Sequence, residues 1–592
     1  MANEATLRLL VCIVLMMLSG SAPAKGAQPD SIVRLRLHYD IDRRNFLLWL
    51  IPNMYEVARG DRHTDMAAED HLSTMTVLET LTTPSLMSET LYPGELLSPL
   101  HANNRRYYHY EQSPPTPDSM AYLRFRPRMG RHVQLVRGAA LMDLRTGKIR
   151  KAFFKGEHDM FDFETDISDD NRQNGRFVSS TTTTRFSFLG NKIRSRIVAD
   201  LEPADTTQST AADTAQQRRK LDTLERLWSH LASSHSLTAG KASLRLWPIV
   251  NPAYLSYSQS SGISYRMKLG LRYAFGSRHR IELTPQAGYN FKLHQLFYNI
   301  PARYTFAPQR DGYVEAVVGN GNRIGNSNIS QDMETLPEDT LAKLPDDFNT
   351  FKDMRVRLAV SYSPWPRLQF IAGATFHRRK ALYAELMESR GYRKTYNSFA
   401  PNAELRLRPW GRHDYRPTLT INYERSIKDI LRSDIDYERI EGNISWLTRF
   451  RALTTLRVGL GAGLYTQRRS RDFLDFAHFC ANYLPGGWDD DWSGDFQLLD
   501  SRSYNESDHY VRANAAFESP LMAAAWIPWA GRYVASECLY LNTLLTGRVH
   551  PYTELGYGLT TRWFSLGAFA SFEKTRFDSA GCKMTLELFR HW

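Results

Sequence analysis

The sequence predicts a mainly all-β protein: a C-terminal transmembrane antiparallel β-barrel of about sixteen strands, preceded by a β-rich periplasmic domain and a short helix. Three observations carry that expectation. Side chains alternate in polarity with a period of two, connections alternate short and long, and the N-terminus reads as a secretion signal.

The alternation is clear from about Ala242 onward. Tyr265, Met267, Leu269, Leu271 and Tyr273 share one face of a strand, against Arg266, Lys268, Gly270 and Arg272 on the other. Met354, Val356, Leu358, Val360 and Tyr362 oppose Arg355, Arg357, Ala359 and Ser361 in the same way. Sixteen such segments are expected: 244–258, 262–274, 281–292, 294–306, 311–318, 353–363, 367–378, 398–408, 416–425, 434–447, 453–466, 508–518, 536–547, 551–560, 563–573 and 580–589.

The longer connections follow the fifth, seventh, ninth and eleventh strands, at 319–352, 379–397, 426–433 and 467–507. Tight turns follow the sixth, eighth, tenth and fourteenth, at Pro364-Trp365-Pro366, Gly411-Arg412-His413, Arg449-Phe450-Arg451 and Thr561-Arg562. Outer-membrane barrels show this parity, with short periplasmic turns and long external loops. The connection 519–535 breaks it, as a misplaced strand would.

At the N-terminus, Arg8 precedes an apolar core from Leu9 to Leu18 and the small-x-small triplet Ala22-Pro23-Ala24. This predicts cleavage after Ala24, with Ala27 as the alternative. Cys12 sits inside the apolar core with no small residue before it, which argues against lipidation. No apolar stretch reaches the ~18 residues of a spanning helix, and mean hydropathy is -0.45. The expected domains are a signal peptide (1–24), a periplasmic β-rich domain (25–201), a linker with an amphipathic helix (202–240) and the barrel (241–592).

Within the first domain, strands are expected at 32–39, 105–111, 120–126, 134–144, 148–154 and 185–198. The stretch 202–217 is polar and linker-like; Asp213 then caps a helix that carries Leu221, Leu224, Leu227, Trp228 and Leu231 on one face. That face predicts docking on neighbouring structure, with a membrane-surface helix as the alternative. Tyr265, Tyr273, Tyr289, Phe297, Tyr362, Phe376, Tyr423 and Tyr465 lie near strand ends, where an interfacial aromatic girdle belongs. The last strand alternates Cys582, Met584, Leu586 and Leu588 after Gly581 and closes on Phe589 and Trp592, as a barrel-assembly sorting signal does.

The formal net charge of +12 is spread along the strands with no basic block, which excludes a nucleic-acid arm and predicts a charged lumen or a lipopolysaccharide-facing rim. Cys480, Cys538 and Cys582 remain after cleavage, an odd number without metal-ligand spacing.

Several runs together resemble a family of outer-membrane proteins of unknown function. They include Glu95-Leu96-Leu97-Ser98-Pro99-Leu100, Asn104-Arg105-Arg106-Tyr107-Tyr108-His109-Tyr110, Phe186-Ser187-Phe188-Leu189-Gly190-Asn191 and His550-Pro551-Tyr552-Thr553-Glu554-Leu555. Gly319-Asn320-Gly321-Asn322-Arg323-Ile324 and Phe496-Gln497-Leu498-Leu499-Asp500 belong to the same set. The resemblance implies a periplasmic domain joined to a surface-antigen-type barrel, often behind a carboxypeptidase-regulatory-like module, which this chain lacks in clear form. Barrel-assembly proteins carry a Val-Arg-Gly-Phe/Tyr motif in the loop that 467–507 corresponds to; here Arg502 stands in Ser501-Arg502-Ser503 instead. The first domain, with its 138–147 hairpin, is similar in outline to lipoprotein-carrier half-barrels, which hold acyl chains.

No catalytic, cofactor-binding or metal-ligating residue is expected. Gly319–Gly325 has the wrong spacing for a dinucleotide loop and reads as a bend into an external loop. The carboxylates of 489–495 do not match an EF-hand and read as a solvated loop. His377, His478 and His509 fall in or near loops, and a hydrolase would need a Ser and a His on adjacent strands. The expectation is therefore a non-enzymatic outer-membrane barrel acting in envelope biogenesis or in transport of a lipid or polypeptide cargo. Its expected partners are outer-membrane lipids, lipopolysaccharide, the barrel-assembly machinery and a periplasmic cargo. The alternatives are a barrel-anchored surface adhesion protein and a membrane hydrolase.

Overall fold

A computed structural model describes residues 31–586 apart from short breaks and the stretches 49–61, 68–87, 169–178, 204–222, 469–478, 480–491 and 500–507. Residues 1–30 and 587–592 lie outside it, and with them Ala22, Ala24, Leu588, Phe589 and Trp592.

Two large antiparallel sheets, with a small two-stranded one that pairs Thr90–Leu91 with Leu96–Leu97, hold the strands of the described residues. The first has nine strands between Ser31 and Pro203, in which Ser31–Arg43 closes against Asn191–Pro203. Its apolar face buries Phe125, Phe154, Phe161, Phe163, Phe186 and Ile197 under Leu48, Leu91 and Leu96 of the chain's own N-terminal segment.

Two expectations for this domain are corrected. The strand placed at 185–198 is a hairpin, Ser179–Phe188 and Asn191–Pro203, turned at Leu189 (φ 47°) and Gly190 (φ 79°). Mirror-type turns need such left-handed residues and match the strand twist. Strand Phe161–Ser168 was missed, and residues 102–107 form a 3-10 turn ahead of Tyr108–Gln112.

The second sheet is one meander of nineteen segments, from His235–Ala239 to Arg576–Leu586, with every neighbour antiparallel. Two strands are interrupted. Ala242–Leu246 and Leu255–Ser258 both pair with Gly262–Ala274, and Arg280–Leu283 and Gln286–Asn290 form the next strand around Pro285. Proline has no N–H for the ladder, so the predicted continuous strand 281–292 breaks there. Counting each interrupted strand once and setting aside the added His235–Ala239 segment, the sheet has the sixteen strands expected. The connection 519–535 hides no strand: His509–Ser519 pairs directly with Val534–Thr546.

At the long-loop end the strands run further than expected. Gly312–Gly325 pairs with Thr350–Trp365 through Gly325↔Thr350, so the run 319–325 is strand rather than loop. A bulge between Asn320 and Asn322, with Gly321 at φ 101°, absorbs the glycines. Ile329 and Phe348 of 326–349 and Met387 of 382–394 then pack in one cluster with the strand residue Tyr396.

The outer and inner faces are reversed relative to a soluble sheet. Leu358 is 53% exposed, Val360 45%, Phe370 49% and Leu555 49%, whereas Asp353, Arg379 and Glu554 are buried. A water-soluble protein would not expose large apolar side chains along most strands of a sheet; hydrocarbon is the solvent that favours it. Of the expected girdle, Tyr273, Tyr289, Tyr362 and Tyr423 point outward, but Phe297 and Tyr465 are buried inside because each has the opposite parity to its outward neighbours Leu296 and Leu464. The aromatics overlooked are Trp365, Trp410, Phe450 and Trp563 of the short turns and Trp529 of the 519–535 connection, all exposed.

The predicted helix falls mostly outside the described residues. Thr223, Leu227 and Leu231 are helical, and Leu227, assigned above to the docking face, is 55% exposed.

Candidate functional site: the lumen

Inward side chains of successive strands build a charged interior. Asp353 on Thr350–Trp365 stands directly opposite Arg379 on Leu368–Ala381, with Arg379 Nε 3.5 Å from Asp353 Oδ1. His377 Nδ1 lies 3.0 Å from both Asp353 oxygens. Further round, Arg439 reaches Glu424 at 3.1 Å, Tyr437 donates to Glu424 at 2.6 Å, Arg406 pairs with Glu404, and Arg512 donates to Asn443 at 2.9 Å. Charges removed from water persist only when paired, and along this ladder Asp353, Glu404 and Glu424 each meet a cationic partner. It lines a cavity of about 400 Å³ reaching from Asn322 to Arg439.

The other half of the interior is filled from within. Residues 492–499 of the longest loop fold inward, and Glu554 of Tyr552–Thr561 accepts the backbone N–H groups of Gln497 at 2.7 Å and Leu498 at 2.8 Å. Asn542 Nδ2 donates to the Asp495 carbonyl at 3.0 Å, and Lys583 Nζ donates to Gln497 Oε1 at 2.6 Å. Trp492 packs edge-on against Phe569 and Tyr540. Its indole rests where Gly558 faces Gly567; a Cβ on Gly567 would stand 2.6 Å from the ring. Phe479, Phe496 and Leu499 join Tyr437, Tyr510, Leu544 and Tyr552 in one apolar cluster, tying the loop to neighbouring strands of the wall. The loop was identified in the sequence as the longest; that it turns inward was not.

The remaining sequence-level candidates separate. His377 is a strand residue facing the lumen, within the strand expected at 367–378, which runs on to Ala381. It stands opposite Ser398, the adjacent-strand register that the hydrolase alternative requires, but Ser398 Oγ lies 3.4 Å from Ser426 Oγ. His478 and residues 489–491 lie outside the described residues. Among the described residues no group of three or more His, Cys, Asp or Glu is placed to hold a metal. On the last strand, Cys582 and Met584 face outward, Gly581 and Lys583 meet the inserted loop, and Leu586 ends the strand.

The first domain docks against the short-turn end. Leu97, Tyr107, Tyr108 and Leu135 pack with Ala452, Leu453 and Leu521. Arg562 donates to Glu157 at 2.9 Å, across the two sheets. Tyr108 Oη donates to the Leu97 carbonyl at 2.6 Å, and Asn104 Nδ2 donates to the Glu89 and Ser98 carbonyls. Within the runs that carried the family resemblance, residues 96–110 are therefore docking structure. Burial pushes the His132 imidazole at this junction down to about 4, against an opposing pull from the Glu537 carboxylate.

Apolar exterior, charged interior and antiparallel meander define an integral β-barrel of the outer-membrane type. Residues 230–414 and 393–559 match the C-terminal domain of the family of unknown function DUF5686, and the chain belongs to that family. No carboxypeptidase-regulatory-like module is found by that comparison. Among solved structures, BamA from Haemophilus ducreyi lacking POTRA domains 1–3 is similar at 9% identity and TM-score 0.34, over 60% of this chain and 74% of that one. The copper transporter OprC follows at 9% and 0.24, over 81% and 70%. The siderophore receptor PirA from Pseudomonas aeruginosa gives 8% and 0.23, over 95% and 81%. No curated protein matches. At these scores the fold rests on the chain's own strand register.

Proposed function

We propose that this is a non-enzymatic outer-membrane protein of envelope biogenesis or transport, passing a lipid or polypeptide cargo between the periplasm and the membrane. The observation that carries the reading is the docking of a second folded domain on the short-turn end of a polar-cored barrel. In outer-membrane barrels that end is periplasmic, so the domain is positioned to engage cargo before the lumen does. Outer-membrane lipid and lipopolysaccharide surround the barrel, and the final strand, with Gly581, Met584 and Leu586 followed by Leu588, Phe589 and Trp592, is read by the barrel-assembly machinery. Deletion is expected to abolish export of a periplasmic cargo recovered with the protein by pull-down. A deletion strain with an unaltered envelope and surface would overturn the reading.

A second reading, a surface adhesion protein anchored by its barrel, is favoured by the small core that holds 326–349 and 382–394 together. Removing those loops separates the two: an adhesin loses its function, a conduit retains it.

A further inference from the structure

The lumen cavity carries two arginines that its own ion pairs do not use. Asp353 is engaged by Arg379 and His377, Glu404 by Arg406, and Glu424 by Arg439 and Tyr437. With each of these carboxylates matched, Arg355 and Arg357 remain. Both line the cavity, and among the described residues neither guanidinium has an ion-pair or hydrogen-bond partner.

They lie two apart on Thr350–Trp365, so they project side by side on its inner face. Their cross-strand neighbours supply no competing anion. Arg355 is flanked by Gly319 and His377, and Arg357 by Val317 and Thr375. Two like charges held adjacent on one strand face repel each other, and an anion between them relieves that repulsion. A guanidinium presents a planar fork of N–H donors that meets oxyanions bidentately. One such fork saturates the two oxygens of a carboxylate, whereas a tetrahedral phosphate offers edges to two forks at once. Asn322 and Asn402 add neutral polar groups on the same cavity wall.

The geometry points to a binding site for a phosphate group, centred on Arg355 and Arg357, inside the barrel. The inference rests on the reading of the interior as an aqueous lumen and adds the chemistry of what enters it. The phosphate belongs either to a soluble phosphate ester or to a phospholipid headgroup, and the two sources are experimentally separable.

The test is equilibrium binding to the full chain in non-ionic detergent, with inorganic phosphate and dihexanoyl phosphatidate as separate probes. Saturable binding of inorganic phosphate, displaced by sulfate and not by acetate, is expected. The double variant Arg355→Gln/Arg357→Gln should bind about tenfold more weakly or worse, as expected for lost charge-assisted contacts. Arg355→Lys/Arg357→Lys keeps both charges and is expected to lose part of the affinity, which covers the case in which the glutamine variant does not fold. Binding of dihexanoyl phosphatidate alone, with the same arginine dependence, assigns the site to a lipid headgroup. Failure of both probes to bind, or equal binding by wild type and variants, overturns the proposal. Because the assay reads no export, its failure is distinct from failure of the transport reading.

Discussion

The two sheets use the same element and sort their residues in opposite directions. In the N-terminal sheet, Phe154 and Phe163 are buried while Arg185 and Arg194 face water. In the barrel, Leu358 and Leu555 are exposed while Asp353, Arg379 and Glu554 are buried. Local geometry is shared, so the difference lies in the solvent each face was built to meet. Water rewards the first arrangement and hydrocarbon the second.

The sharpest way to break that contrast is a matched pair of substitutions. Phe154→Ala should destabilise the N-terminal domain by about 3–5 kcal/mol in denaturant unfolding, through lost burial and a cavity. Leu358→Arg should cost about 2–4 kcal/mol of barrel stability in lipid, whereas Tyr122→Arg, on the exposed face of the first sheet, should stay within about 0.5 kcal/mol. Equal effects of Leu358→Arg and Tyr122→Arg would remove the distinction between the faces.

The junction between the sheets responds to acid. His132 is buried and its Nδ1 accepts the Gln134 N–H at 3.1 Å. Its imidazole is held down to about 4 in the folded chain, against 6.5 ordinarily, so the unfolded state takes up the proton first. The stabilisation is complete above pH 6.5 and is lost as pH falls toward 4, a change of roughly 3 kcal/mol. Unfolding followed from pH 7 to pH 4 should show this loss, and His132→Leu should flatten it.

Within the barrel, the open half of the lumen contrasts with the half filled by 492–499. Glu554→Ala removes the acceptor of two backbone hydrogen bonds, worth about 1.5–3 kcal/mol each at a charged group. Single-channel current in planar bilayers should rise as the loop comes free; an unchanged current would mean that the loop does not obstruct the pore. The smallest effect is expected at Ser398. Neither wild type nor Ser398→Ala should turn over phospholipid, and turnover lost in the variant would establish the hydrolase alternative.

Strand order was legible because a period-two pattern survives wherever one face meets lipid and the other meets polar groups. All sixteen strands lie where the alternation placed them. The strand ends were less legible at the long loops, because Phe351, Ala381 and Tyr396 pack in a loop core above the lipid-facing band. The lumen was legible only as a charged face. Which arginine meets which carboxylate depends on cross-strand register, which bulges such as that at Gly321 shift by one residue. The inward loop left no sequence period at all: Gln497 and Leu498 meet Glu554 more than fifty residues away, a pairing that no local pattern announces.

The central claim is that alternate residues of one strand face hydrocarbon and lumen. Single cysteines at Leu358 and Arg357, in a background with Cys480, Cys538 and Cys582 replaced by serine, can carry a fluorophore in reconstituted vesicles. Brominated lipid should quench the label at 358 and spare that at 357, while a small aqueous quencher that enters the lumen should do the reverse. Quenching of both labels by the aqueous agent, with neither sensitive to bromine, would contradict a lipid-facing exterior.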